Sequence, residues 1–152
     1  MTRLRRRRGR PGLRARFAFA ALALPGALCA DVVPVATSAE LIAAIDGAGP
    51  GDVITLATGT YDISQNLSCD VAGTAAAPIV VRASSHLGAL IRFDTLEGFK
   101  VSARHWVFED LDIQGFCAVD SNCEHAFHVF GDADFLVLRR NRVRDFNAQV
   151  KS

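Results

Sequence analysis

The sequence predicts an all-β parallel solenoid led by one short helix, and three observations carry that expectation. From Asp52 onward the chain is a series of short β-branched or aromatic runs broken by Gly, Asn, Asp and Ser, the pattern of strands separated by turns. The runs VITL (53–56), IVVR (79–82), WVFE (106–109) and LVLR (136–139) begin 26, 27 and 30 residues apart. Further runs, ALIRF (89–93), FKVSA (99–103) and AFHVF (126–130), fall between them. Such a period, with several strands and no helix in each repeat, points to stacked coils. Finally, HWVFEDLDIQGF (105–116) aligns without a gap on FLVLRRNRVRDF (135–146) at an offset of 30.

The first element, residues 1–30, reads as a secretory signal: an arginine-dense start, then the apolar run FAFAALALPGALCA, then acidic Asp31. That run is too short to span a bilayer. Cleavage after Ala30 is expected, although Leu28 is bulky for the −3 position. The arginines lack a tidy twin-arginine motif, and Leu28 is the wrong neighbour for lipidation of Cys29. A secreted or periplasmic protein follows.

Charge points the same way. Eight of the seventeen Lys and Arg residues lie in residues 1–30, leaving nine bases against sixteen acids, a net charge of −7. Nucleic-acid binding is not expected of such a chain, because neutralising phosphates supplies most of that affinity. About 120 residues remain, enough for one domain with a real core.

Residues 31–36 read as a linker, and residues 37–152 as the solenoid. Thr37 and Glu40 form a capping box, Leu41, Ile42 and Ile45 an apolar stripe, and Gly47 with Pro50-Gly51 a stop. These predict a capping helix over 37–47, followed by about four coils.

In the 30-residue alignment, Trp106, Phe108, Leu111 and Ile113 meet Leu136, Leu138, Asn141 and Val143, all expected to point inward. Asn141 suits an inward turn, where its amide can bond backbone groups. Outward, Glu109 meets Arg139, Asp110 meets Arg140 and Asp112 meets Arg142. Neighbouring strands lie about 4.8 Å apart, so these charges are expected to pair across one rung. Arg144 meets neutral Gln114 and is expected to escape the pairing.

Cys117 and Cys123 are spaced to close a short loop in an oxidising compartment, leaving Cys69 odd; alternatively all three are small buried hydrophobes. No spacing resembles a zinc ribbon. In CEHAFH, strand alternation points His125 and His128 to opposite faces, so no metal site is expected there and His128 remains as a wall residue able to touch a sugar. In RDFNAQVK, Asn147 and Lys151 share a face if the segment is extended, and with Arg144 they form a candidate contact for an anionic sugar. The plain alternative is a solvated edge. Nothing in the sequence caps the last coil, which predicts either a truncated solenoid or an edge covered by association.

The segments AELIAAIDGAGPGDVITLATGTYDI and GTAAAPIVVRA resemble the opening coils of secreted right-handed parallel β-helix proteins of the pectin-lyase-like kind. Among these the chain is most similar to the chondroitinase B and alginate lyase type of polysaccharide lyase, over about Thr37 to Phe116. The resemblance implies cleavage of uronate-containing polysaccharides by β-elimination, with calcium, and a lysine and an arginine near the abstracted proton. Those residues belong to later coils, so no catalytic or calcium-binding position is carried over, and no cofactor is expected within this chain. A non-catalytic carbohydrate-binding or surface module, or an inactive truncated product, is the alternative, because a fold alone does not choose its chemistry.

Overall fold

In a computed structural model the chain is described over residues 31–152; the expected signal segment lies outside them. The strands are β1 (Val32–Val35), β2 (Val53–Leu56), β3 (Gly59–Ile63), β4 (Leu67–Cys69), β5 (Ile79–Ala83), β6 (Ala89–Phe93), β7 (Glu97–Val101), β8 (Trp106–Glu109), β9 (Asp112–Gly115), β10 (His125–Val129), β11 (Val137–Arg139), β12 (Arg142–Arg144) and β13 (Ala148–Lys151). One helix, α1 (Ser38–Asp46), and a 3-10 turn, Asp120–Asn122, complete the set.

All strand pairs are parallel, and they form three walls. The first wall has the order β1-β2-β5-β8-β11, the second β3-β6-β9-β12 and the third β4-β7-β10-β13. Each coil therefore visits the walls in turn, and four coils stack into a right-handed parallel β-helix.

Alternation places apolar columns inside each wall. Ile54, Val81, Phe108 and Leu138 are in register along the first, Tyr61, Ile91, Ile113 and Val143 along the second, and Leu67, Phe99, Phe127 and Val150 along the third. In the inner coils these side chains are almost wholly buried, each contributing about 1.5–3 kcal/mol of transfer free energy. Rings interlock across the interior: Phe99 lies 5.2 Å from Phe127 and 4.7 Å from Phe108, centroid to centroid. On the fourth coil the same columns are less covered, with Leu138 36% and Val150 46% exposed.

The repeat is refined in one respect. VITL and IVVR begin 26 residues apart, yet Val53 pairs with Val80, Ile54 with Val81 and Leu56 with Ala83, an offset of 27. A slip of one residue would turn Ile54 and Leu56 outward, so the buried face fixes the register.

Helix α1 begins as its sequence predicts. Oγ1 of Thr37 accepts from the Glu40 amide at 3.2 Å, and Glu40 Oε2 accepts from the Thr37 amide at 3.1 Å. Gly47 closes it. Leu41 and Ile45 are buried against β1–β4, which caps the first coil. The segment expected to be a linker, 31–36, is instead mostly strand: β1 adds an edge to the first wall, pairing Val32 with Val53 and Val35 with Leu56. Pro34 is tolerated there because an edge strand can spare one N–H.

The corners are also stacked. Leu87, Asp110 and Arg140, each two residues before a second-wall strand, have φ of 56°, 61° and 54°. His105 and Phe135 repeat this before the first wall, at 61° and 60°, with their rings stacked 4.7 Å apart. Cys117 and Cys123 are joined by a disulfide with Cα atoms 5.8 Å apart, and Cys69 is a buried free thiol. Among the described residues no helix is long and apolar enough to cross a membrane.

Candidate functional site

The outer face of the third wall gathers side chains that can meet a charged ligand. Because Phe99 and Phe127 point inward, the next residues, Lys100 and His128, point outward. Register sets Lys100 beside His128 and His128 beside Lys151, one rung apart.

Glu97 lies among them. Its Oε1 is 2.7 Å from His128 Nδ1 and 4.0 Å from Lys151 Nζ, and its Oε2 is 3.7 Å from Lys100 Nζ. The carboxylate is 14% exposed, whereas the Lys151 side chain is 50% exposed. Burial pushes the Glu97 carboxyl upward, but the His128 contact and the charges of His128, Lys100 and Lys151 outweigh it and hold the group below its ordinary value. Phe130 borders the cluster, its ring centroid 5.7 Å from Lys100 Nζ and 4.8 Å from the His128 ring. Two ammonium groups against one carboxylate leave this patch cationic, although residues 31–152 carry nine Lys and Arg against sixteen Asp and Glu.

The expected contact residues divide. His128 and Lys151 come together here. Asn147 precedes β13, where its Nδ2 donates to Glu124 Oε1 at 3.2 Å and its backbone amide to Cys123 O. Arg144 lies on the second wall and does not escape pairing: it is 3.2 Å from Asp112 and 3.3 Å from Asp145. Register does set it opposite Gln114, but a long guanidinium reaches the diagonal neighbour two residues away. Glu97 and Lys100 were not legible as site residues, since only the β7–β10 register brings them to His128.

His125 also departs from simple alternation. Its ring centroid lies 6.3 Å from that of His128, because β10 buries two consecutive residues, Ala126 and Phe127, and so breaks the two-residue period. Its Nδ1 is buried without a hydrogen-bond partner.

The arginine-rich stretch of the fourth coil is spent on the coil before it. Arg139 bonds Glu109, Arg140 lies 2.7 Å from Asp110 and 3.3 Å from Glu109, and Arg142 Nε donates to Asp112 at 2.9 Å. Hydrogen bonds from Arg140 and then His86 hold the Asp110 carboxyl far below its ordinary range. Arg142, then Arg144, lower that of Asp112 against the opposing effect of burial. The side chains of Arg139, Arg140 and Arg142 are about half exposed while Glu109 and Asp112 are buried, so solvent screens each pair from the arginine side and the pairs select register more than they add stability.

Among the described residues no group of three or more His, Cys, Asp or Glu side chains could hold a metal ion. The densest acidic run, Glu109 to Asp112, is taken up by arginines.

No protein-family model and no curated protein matches the sequence. Solved structures do. An alginate lyase of the PL6 family, AlyGC, superposes with a TM-score of 0.61 at 18% identity, over 74% of this chain and 15% of that one. A point mutant of the same enzyme gives 0.50 at 18% identity, over 79% of this chain and 15% of that one. An alginate lyase from Paenibacillus sp. str. FPU-7 gives 0.49 at 20% identity, over 72% and 43%. The chain thus spans about 15% of the length of AlyGC. By wall order, register and superposition, it has a right-handed parallel β-helix fold, which it shares with the alginate lyase AlyGC.

Proposed function

We propose that this chain forms the capping helix and first coils of an exported, carbohydrate-active β-helix protein whose third wall binds an acidic, uronate-containing polysaccharide. The observation that carries the reading is the placement of Lys100, His128 and Lys151 on successive rungs around Glu97, beside the exposed ring of Phe130. A uronate carboxylate can take the outer hydrogens of the ammonium groups, which Glu97 holds in place without neutralising both. Export rests on residues 1–30, whose basic start and apolar run have the form of a secretory signal.

The reaction proposed for the whole protein is β-elimination. Removing a proton next to a carboxylate builds enolate-like charge, which cations must meet while a base stands within hydrogen-bond reach. Calcium is proposed only for the whole protein, and no residue of these coils is assigned to it. No residue of these four coils is assigned the base.

Calorimetric titration with alginate and chondroitin hexasaccharides tests the binding. Wild type is expected to bind at least one of them, and Lys100→Ala with Lys151→Ala is expected to weaken binding about tenfold or more, the loss of one to two charge-assisted hydrogen bonds. No affinity for either polymer would remove the reading. Release of unsaturated uronate separates a lyase from a non-catalytic module.

A further inference from the structure

At the corner between the second and third walls, Phe116 follows β9 and is 57% exposed. Nothing about the core requires a large ring there. It is nonetheless held firmly. Arg92 Cζ lies 4.4 Å from the ring centroid, and Arg92 is itself fixed by two hydrogen bonds to Asp62, at 2.6 and 2.8 Å. The next residue, Cys117, is tied by the disulfide to buried Cys123.

Two hollows meet at this ring. One, of about 270 Å³, is bordered by Asp62, Ser64, Arg92 and Asp94; the other, of about 470 Å³, by Asp94, Gly115, Ala118 and Asp145. Phe116 and Asp94 belong to both. Asp62 is engaged by Arg92, and Asp145 by Gln114 at 2.8 Å and Arg144 at 3.3 Å. Asp94 makes no ion pair among the described residues.

We propose that this corner is a second carbohydrate site, taking an uncharged pyranose unit of a glycan. A pre-ordered aromatic face offers area to the C–H face of a sugar ring at little entropic cost. The Asp94 carboxylate, which borders both hollows, accepts hydrogen bonds from sugar hydroxyls, which are donors as well as acceptors. The same carboxylate, which has no arginine to offset it among the described residues, selects against uronates, since like charges at close range repel. The ring's second neighbour, Arg92, is already committed to Asp62, so it braces the platform and does not recruit an anion. The inference rests on the carbohydrate reading of the fold but not on the third-wall cluster, whose charge preference is opposite.

The experiment follows amide chemical shifts of the ¹⁵N-labelled protein during titration with cellohexaose, mannohexaose and an alginate hexasaccharide. A neutral hexaose is expected to move the amides of Asp94 and of residues 115–118. Phe116→Ala should weaken that binding about tenfold, the worth of one good stacking contact, while Phe116→Tyr retains it. Lys100→Ala with Lys151→Ala should leave it unchanged and weaken only the alginate titration. The proposal is overturned if neither neutral hexaose moves those amides, if Phe116→Ala binds as wild type does, or if alginate moves them equally. Failure of the third-wall reading would show instead as an alginate titration that the lysine substitutions do not change. Phe116 is exposed, so its removal leaves the core in place.

Discussion

Asn141 of the fourth coil closes the turn of the third: its Nδ2 donates to the Phe108 carbonyl at 2.9 Å and its Oδ1 accepts from the Leu111 amide at 3.0 Å. One amide thereby satisfies both backbone groups flanking the left-handed corner at Asp110. Leucine, the residue at the equivalent place one coil earlier, can fill the volume but cannot make either bond. Asn141→Leu is therefore expected to lower the unfolding free energy by about 1–2 kcal/mol, the cost of leaving partly buried backbone groups unpaired. Urea denaturation followed by circular dichroism checks it, and an unchanged midpoint would count against a structural role for the amide.

Gly115 and Gly59 should respond in opposite ways to alanine. A Cβ at Gly115 would lie 1.9 Å from the Asp145 carbonyl oxygen and 3.0 Å from Cys123 Sγ, whereas one at Gly59 meets nothing within 4 Å. Backbone cannot step aside cheaply, so Gly115→Ala is expected to cost about 3 kcal/mol or more. Gly59→Ala is expected to be neutral or to stabilise by about 0.5 kcal/mol through the unfolded chain. Thermal melts of the two variants separate these outcomes.

The disulfide spans six residues, and closing so short a loop restricts the unfolded chain by about 2 kcal/mol. Replacing Cys117 and Cys123 together with serine should lower stability by that amount. It should also blunt the neutral-sugar titration at Phe116, whose neighbour is then released. Denaturation midpoints and the shift titration report the two effects separately.

Acid should unfold this protein through its arginine-paired carboxylates. Asp62, Asp110 and Asp112 are each lowered in the folded state first by a hydrogen bond to arginine. A depressed folded value stabilises the native state above the unfolded carboxylate value, about 4, and that stability is lost as pH falls below it. The urea midpoint is thus expected to stay level from neutrality down to about pH 5 and then drop. Asp110→Asn with Asp112→Asn should start from a lower neutral midpoint and lose less of it on acidification. A variant with the wild-type acid slope would place the pH dependence elsewhere.

Legibility followed the range of the forces involved. The capping box at Thr37 and Glu40 is local, and it stands as its three-residue spacing predicts. The charge pairs from Glu109 to Arg142 were readable because one 30-residue offset governs every position of that rung. Arg144 was misread, since an alignment gives the residue opposite but not the diagonal carboxylate that a flexible guanidinium can reach. His125 and His128 were misread for a similar reason: their approach depends on a break in alternation that only the packing of Ala126 and Phe127 imposes.

Taken alone, the sequence determined that the chain is a stack of coils with a helix at its head, because apolar alternation, turn residues and a near-constant period are written along it. It also determined that the arginines of the fourth coil face acids of the third. Only the tertiary structure decided which side chains share a surface. The three walls bring together residues about thirty positions apart, and the choice between partners lies in register, bulges and side-chain reach. Glu97, Lys100, His128 and Lys151 become neighbours, and Phe116 becomes a platform between two hollows, because parallel stacking converts distance along the chain into contact between rungs.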